Sequence, residues 1–288
     1  MEHWLERIIE PDRLVLAWQA PDGRGADRFR WAVAYVIRDG ADARLTYLAP
    51  GPLFSELNAG RSFDDLRNAG YSGYPAFSAK SLEHRDGVIQ ALRQRWQITA
   101  SARRQSCRLK QRLRACSTPR SEAIIVEQAL SRRLPPRSRS DFGNYSRHFR
   151  IPPDAKISNF GLLGLSEARL PNDGFSLVDP LNGKVDQCDL MLEVAGFRYY
   201  SAEIGRAIEL GEPVQIVPEP ASDHDPNAIM IRIDHTKIGN INRLQTAAFS
   251  MWLSDQSVEA WVERLNGKPS HPRLFIFVRI RPRMMVAA

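Results

Sequence analysis

The stretch EPASDHDPNAI, residues 219–229, joins a turn-forming run to the start of an apolar segment. Asp, Asn and Pro residues this close together typically form a turn through hydrogen bonds from side chain to backbone. Short β-like runs surround it at 190–194, 213–217, 228–233, 257–264 and 274–280. One helix is predicted at about 244–253 by apolar residues at i, i+3, i+4 and i+7 spacing. Five strands and one helix in about 90 residues predict a small closed or half-closed β-barrel.

The acidic turn also allows a metal-binding interpretation. His224 lies between Asp223 and Asp225, and hard oxygens with one imidazole can bind a divalent ion. With Glu219, these aspartates would make a metal-dependent nuclease conceivable. The turn interpretation is favoured over a metal site, because Asp, Asn and Pro this close together usually bond to their own backbone. The nuclease interpretation also lacks a general acid or base at a matched spacing.

Two further motifs lie on either side of this stretch, GFRYY at 196–200 and IGNINR at 238–243, with Gly211 in a turn between the first motif and residue 219. In order and spacing, the three stretches resemble the HIRAN domain. The pattern of that family is a G-x-R-Y-Y-type strand end, a glycine turn, an E-P-x-x-x-x-D-x-N-A-I segment and an I-G step into a helix. The resemblance covers about residues 190–281.

This resemblance implies a DNA-binding function. HIRAN domains bind single-stranded DNA and, in the best-understood cases, capture its free 3′-hydroxyl end. They are attached to helicases and translocases, and they also occur as stand-alone bacterial proteins. By resemblance, Arg198 contacts phosphate, Tyr199 stacks on a base, Asp225 accepts a hydrogen bond from the terminal hydroxyl and Arg243 contacts phosphate. The full set of implied DNA-binding residues is Arg198, Tyr199, His224, Asp225, Asn227, Asn240 and Arg243.

The chain departs from the end-binding members of the family at two positions. His224 replaces a second tyrosine, and Asn240 replaces a histidine. An imidazole stacks less well than a phenol ring, and an amide hydrogen-bonds without a positive charge. These changes predict weaker end binding or a different ligand. In addition, if Tyr199 and Tyr200 alternate along a strand, one of them must face the core.

The N-terminal part is expected to be a separate α+β domain, residues 1–182, with the DNA-binding domain at 187–284. Strand-like runs at 13–18, 30–37 and 44–48, with Asp22-Gly23 and Asp39-Gly40 turns, predict a small antiparallel meander. A helix is expected at about 82–96, and 153–180 is expected to form a helix or turn with loops. This part faintly resembles the N-terminal portion of HipA-type toxin kinases. The kinase body of that family has no counterpart in the sequence, so the resemblance implies a docking module.

Two basic segments lie in this N-terminal part. No acidic residue occurs between Gly87 and Arg120, and the basic segment 97–131 is either a solvated, partly disordered insertion or a nucleic-acid surface. Residues 132–149 combine basic side chains with aromatic ones, the two side-chain types that bind single-stranded nucleic acid. The alternative for 132–149 is a helix that begins at Ser140 or Asp141 and buries its aromatic face. The expected secondary basic surface is Arg133, Arg137 and Arg139.

The remaining motifs argue against catalysis. No phosphate-binding loop, dinucleotide fingerprint, zincin helix or serine-hydrolase elbow is present. The three cysteines also form no CxxC pair. Together, these missing motifs lead to a prediction of no metal site, no cofactor and no catalytic residue. The N-terminus has no apolar signal region, which favours a cytoplasmic protein.

The formal net charge of +7 indicates an acidic partner. The expected partner is single-stranded DNA or a DNA end, with an accessory role toward a helicase or nuclease acting in trans. The alternative is a protein-interaction module of a toxin–antitoxin or phage-defence system, whose partner would be a toxin component or a similar acidic protein. No membrane partner is expected.

Overall fold

The computed structural model describes residues 3–20, 29–40, 42–71, 130–170, 173–220, 222 and 225–283. The Asp22-Gly23 turn, the helix expected at 82–96, nearly all of the basic segment 97–131 and His224 lie outside these residues. The chain forms two compact units. The N-terminal unit comprises Asp12–Pro136 and Ser158–Val178, and the C-terminal unit comprises Met1–Pro11, Arg137–Ile157 and Asp179–Ala288.

The described elements are antiparallel strands and short helices, as expected for the α+β class. The strands are β1 Arg13–Trp18, β2 Trp31–Asp39, β3 Asp42–Tyr47, β4 Phe175–Val178, β5 Cys188–Glu193, β6 Gln215–Pro218, β7 Ile229–Ile233, β8 Thr236–Asn240, β9 Gln256–Lys268 and β10 His271–Pro282. The helices are α1 Pro52–Leu57, α2 Phe63–Asn68, α3 Phe142–His148, α4 Asn159–Leu165, α5 Phe197–Tyr200 and α6 Thr246–Asp255.

The N-terminal unit contains one four-stranded sheet in the order β3-β2-β1-β4. The three predicted strands of the meander are confirmed, and Gly40 makes the turn between β2 and β3 with a φ of 63°. Strand β1 lies between β2 and β4, so every one of its residues except Arg13 is buried. Strand β4 was not predicted, because FSLV is a short apolar run inside a segment rich in Gly and Pro.

The C-terminal unit contains two three-stranded sheets, in the orders β5-β10-β9 and β6-β7-β8. Within the described residues, single bridges between Ala195 and Asn240 and between Pro213 and Trp261 connect these sheets. Helix α6 covers the apolar space between them, with Phe249 and Trp252 almost wholly buried. This arrangement is a half-closed two-sheet fold, and all five predicted strands and the predicted helix occur in it.

One local prediction in the C-terminal unit was wrong. IGNINR leads into the helix as expected, although its first residues complete strand β8 and a short 3₁₀ turn, Arg243–Gln245, precedes α6. GFRYY was expected to end a strand, but Phe197–Tyr200 is the short helix α5. Gly196 causes this change of direction, since its φ of 79° is a backbone conformation that turns the chain out of the strand. The alternation expected for Tyr199 and Tyr200 therefore does not apply.

Among the described residues, no helix is long and apolar enough to cross a membrane.

Candidate nucleic-acid interface

Strand register brings the residues singled out in the sequence to one end of the β6-β7-β8 sheet. Pro218 pairs with Ile229 at the end of β6 and β7, and the Glu219 N–H donates to the Ala228 carbonyl at 2.8 Å, which closes the loop 219–228 at its base. Asn240, the last residue of β8, pairs with Met230 at the same end. The loop 219–228 and the end of β8 are therefore neighbours.

Helix α5 joins this end through the bridge between the two sheets. Ala195 and Asn240 exchange two backbone hydrogen bonds, each 2.9 Å long, and α5 begins two residues after Ala195. Gly239 permits the close approach, because a Cβ at this position would lie 2.5 Å from Val194 Cγ1 and 2.6 Å from the Ala195 carbonyl oxygen. The G in IGNINR is thus a requirement of packing between β8 and the chain that leads into α5.

Half-buried Arg198 and exposed Tyr199 form a pair on α5. Tyr199 is 59% exposed. The Arg198 guanidinium lies 4.5 Å from the Tyr199 ring centre and donates a hydrogen bond to its hydroxyl. A base can stack on the ring face that the guanidinium does not cover, with a positive charge beside it.

Tyr200 faces a polar cluster made with Glu219, Lys237 and Asn240. Lys237 Nζ donates to both Glu219 carboxylate oxygens, at 2.6 and 2.7 Å, and lies 4.9 Å from the Tyr200 ring centre. Asn240 Nδ2 donates to Glu219 Oε2 at 2.9 Å. This polar cluster holds α5, the loop 219–228 and β8 together.

The charges of the polar cluster are mutually stabilised. Burial alone would raise the pKa of Glu219, but hydrogen bonds from Lys237 and Asn240 outweigh it and hold that pKa below its ordinary value. For Lys237, burial acts to lower the pKa, and hydrogen bonds with Glu219 and Tyr200 outweigh it, so the pKa is raised. Both groups are therefore charged at neutral pH.

Asp225 forms the turn expected from the sequence. Its Oδ1 accepts a hydrogen bond from the Asn227 N–H at 2.9 Å, and its carbonyl accepts one from the Ala228 N–H at 3.0 Å. Within the described part of the chain its second carboxylate oxygen, Oδ2, accepts no hydrogen bond. Asn227 is exposed at the tip of the turn. The turn therefore leaves Asp225 Oδ2 able to accept a hydrogen bond from a ligand.

Arg243 follows the end of β8 closely and begins the 3₁₀ turn Arg243–Gln245. The Asn242 side chain caps that turn by accepting from the Leu244 N–H at 3.2 Å, which fixes the backbone around Arg243. The Arg243 side chain is half-buried.

The three arginines expected to form a secondary basic surface have different environments. Arg133 is buried in the N-terminal unit, where its guanidinium donates to the Ala168 carbonyl at 2.7 Å and the Phe175 carbonyl at 2.8 Å and pairs with Asp173. The prediction that Arg133 presents a surface charge is corrected by this geometry, since a buried and hydrogen-bonded guanidinium is a structural group. Arg137 and Arg139 are exposed in the C-terminal unit, and Arg139 is paired with Asp141.

Sequence reasoning missed Lys237 and the structural roles of Glu219 and Tyr200. A signal for β8 was present in the two residues Asp234 and His235, which form the turn of the hairpin between Ile233 and Thr236. Asp234 adopts a φ of 52°, a conformation that Asp tolerates better than most residues. Recognising that hairpin would have placed Lys237 and Asn240 on one strand.

Part of the C-terminal unit matches a known protein family. Residues 189–282 match the HIRAN domain family, so this part of the chain is assigned to a HIRAN domain. A crystal structure of the HIRAN domain of human HLTF is similar at 20% sequence identity and a TM-score of 0.26, covering 32% of this chain and 74% of that chain. No match is found among curated proteins.

Proposed function

We propose that the HIRAN domain of this chain binds single-stranded DNA, with the 3′-hydroxyl end held between α5, the loop 219–228 and the end of β8. The observation that carries the proposal is the exposed Tyr199 ring with the Arg198 guanidinium beside it, at the sheet end that also carries Asp225. A ring stacks on any base, and a guanidinium binds backbone phosphates whatever the base sequence. A carboxylate repels phosphate, so Asp225 is suited to a hydroxyl.

The individual roles follow from the chemistry of the groups at this end. Tyr199 would stack on the terminal base, while Arg198 and Arg243 contact phosphates. Asp225 Oδ2 would accept the hydrogen bond of the 3′-hydroxyl, because Oδ1 is already engaged by the Asn227 N–H. Asn240 Nδ2 is directed at Glu219 and the Ile229 carbonyl, so Asn240 acts mainly by positioning β8 and can offer its Oδ1 to a ligand donor.

End discrimination tests this proposal directly. Fluorescence anisotropy would compare single-stranded oligonucleotides that end in a 3′-hydroxyl or a 3′-phosphate, for the wild type and for the double variant Tyr199→Ala/Asp225→Ala. A matched control is Glu209→Ala/Leu210→Ala, which removes one carboxylate and one large exposed side chain from another loop of the same unit; Leu210 is 72% exposed. We expect the wild type and the control to prefer the hydroxyl, and the Tyr199/Asp225 variant to lose that preference.

Other outcomes would change the assignment. Equal binding to both kinds of oligonucleotide end, unchanged in the Tyr199/Asp225 variant, would show that DNA does not bind at this end of the sheet. No binding to DNA at any salt concentration would favour the protein-interaction alternative, in which the positive charge meets an acidic protein.

A further inference from the structure

A second group of cations lies at one end of the β5-β10-β9 sheet. Arg264 on β9 and Arg273 on β10 both lie over the ring of Phe275, with guanidinium carbons 4.7 and 5.1 Å from its centre. Arg264 Nη1 donates to the carbonyl of His148, the last residue of α3, at 2.7 Å. Arg150, two residues further along, forms an ion pair with Glu263. Helix α3 and the β9–β10 hairpin thus meet through arginines.

The carboxylates of the described residues balance only part of this charge. Glu193 pairs with Arg273 through two hydrogen bonds of 2.8 and 2.7 Å, and Glu263 pairs with Arg150. Within the described ranges Arg264 forms no close ion pair with a carboxylate, and its Nη2 is buried with no hydrogen-bond partner. One guanidinium is therefore in excess at this point of the surface.

The electrostatic effect of the crowding is visible in neighbouring groups. Burial and then repulsion by Arg150 lower the pKa of Arg264 to about 10. Burial, followed by repulsion from Arg264, Arg273 and Arg150, also lowers the pKa of His148. A negatively charged ligand would relieve this repulsion.

Helix α3 extends the positive surface. None of its residues is fully buried, and Arg147 is exposed with no side-chain hydrogen bond or ion pair within the described part of the chain. Residues 137–157 contain five basic residues against two acidic ones. Phe142, Tyr145 and Phe149 pack against one another along the same segment, with successive ring centres 5.9 and 5.1 Å apart.

This surface is continuous with the end of the sheet that carries Tyr199. Phe275 pairs with Glu193, the last residue of β5, and the Val194 N–H donates to the Leu274 carbonyl at 2.9 Å. Helix α5 starts three residues after Val194 and packs against β10. A nucleic-acid strand that extends from α5 can therefore pass over Arg273 and Arg264 to α3.

We propose that α3 and the adjoining end of the β9–β10 hairpin bind the phosphodiester backbone of the nucleic-acid strand whose end is held at α5. The inference rests on the proposed function, and it adds a contact outside the HIRAN domain, from residues 147–150. A strand is the ligand that fits, because it repeats its negative charge along a line, whereas a free phosphate or a nucleotide fills one position. Arg147 and Arg273 are exposed toward such a strand; the Arg264 side chain has to turn outward to present Nη2.

Dependence on strand length tests the proposal. Anisotropy would be measured with 3′-hydroxyl oligonucleotides of about 4 and about 16 nucleotides, the range of site sizes for single-strand binding folds. The variants are Arg147→Ala and Arg147→Ala/Arg264→Ala, with Lys184→Ala/Arg206→Ala as a control that removes two positive charges from other parts of the same unit. For the double variant we expect affinity for the longer strand to fall about tenfold, with unchanged affinity for the shorter one.

The salt dependence of the binding constant provides an independent test. Loss of two phosphate contacts reduces the slope of log K against log salt by about 1.4 for single strands. Unchanged affinity and slope for the longer strand, or an equal loss for both lengths, would overturn the inference. The single variant Arg147→Ala should show about half of the slope change, and it keeps the test valid if Arg264 is needed for folding. Failure of the proposed function is distinguishable, because the wild type would then not bind the shorter strand.

Discussion

The ammonium group of Lys237 lies 4.9 Å from the centre of the Tyr200 ring, and it links strand β8 to helix α5. The same ammonium donates to both oxygens of Glu219, at the start of the loop 219–228. Three chain segments that are distant in sequence are thereby held in one arrangement. Since Tyr199 directly precedes Tyr200 in α5, its orientation depends on this contact.

Replacing Lys237 with methionine should loosen the arrangement. The substitution keeps the aliphatic stem but removes the charge, so Glu219 loses two hydrogen bonds while it remains about one-fifth exposed. We expect the free energy of unfolding to fall by about 1 kcal/mol, since partial exposure limits the value of such a pair. Urea denaturation would measure this change, with Lys184→Met as an exposed control. A Lys237 variant as stable as the control would show that the polar cluster contributes nothing to folding.

Gly239 should tolerate no side chain. Gly239→Ala places a Cβ 2.5 Å from Val194 Cγ1 at a φ of 148°, so strain and overpacking add together. We expect a loss of about 3 kcal/mol in stability. Gly211→Ala is the matched control, because its φ of 82° imposes strain but nothing lies within 4 Å of the added carbon. The control should lose only about 1 kcal/mol, and equal losses in the two variants would argue against the close approach of β8 and Ala195.

Asp179 should make stability in the C-terminal unit depend on pH. Burial raises the pKa of this carboxyl from 3.8 to about 6, against one hydrogen bond from the Leu181 N–H. The folded state therefore binds the proton more tightly than the unfolded state does. The stability that this proton contributes is present below pH 3.8 and is lost as the pH rises through about 6.

The variant Asp179→Asn keeps the hydrogen-bond acceptor without the charge. At neutral pH it should be more stable than the wild type by about 3 kcal/mol, and at low pH the difference should disappear. Denaturation curves across the acid range would show this convergence, with the exposed Asp154→Asn as control. A constant difference at all pH values would contradict the assigned cause.

Arg133 should matter for folding and leave DNA binding unchanged. Arg133→Met leaves Asp173 and two carbonyls without their buried donor, which should cost about 3 kcal/mol or more. Circular dichroism at increasing temperature would measure the loss, with exposed Arg132→Met for comparison. Reduced affinity for single-stranded DNA in a folded Arg133 variant would restore the surface role that the sequence suggested.

The sequence predicted most strands, because apolar alternation and turn residues are local signals. It placed β1 at its observed bounds and found all the HIRAN-domain strands except β8. Strand β8 was missed because its five residues include Gly239 and three polar side chains, so its apolar pattern is weak. Its place is set by pairing with β7 and by contact with Ala195.

The candidate site was predictable as a set of residue types, whereas the partnerships within it were not. The motif identified Arg198, Tyr199 and Asp225, but the sequence could not show that Glu219 and Lys237 pair over 18 residues. Likewise, no local pattern shows that residues 137–157 belong to the same compact unit as the HIRAN domain. Such contacts depend on tertiary packing, which also decides that Arg133 is buried and Arg147 exposed.

The most direct test of the account is the affinity of three proteins, wild type, Tyr199→Phe and Tyr199→Ala, for one single-stranded oligonucleotide with a 3′-hydroxyl. Stacking on the ring predicts that the Phe variant binds within about twofold of the wild type, and that the Ala variant loses about 1 to 3 kcal/mol of binding free energy. An Ala variant that binds as tightly as the wild type would contradict the claim that α5 holds the DNA strand.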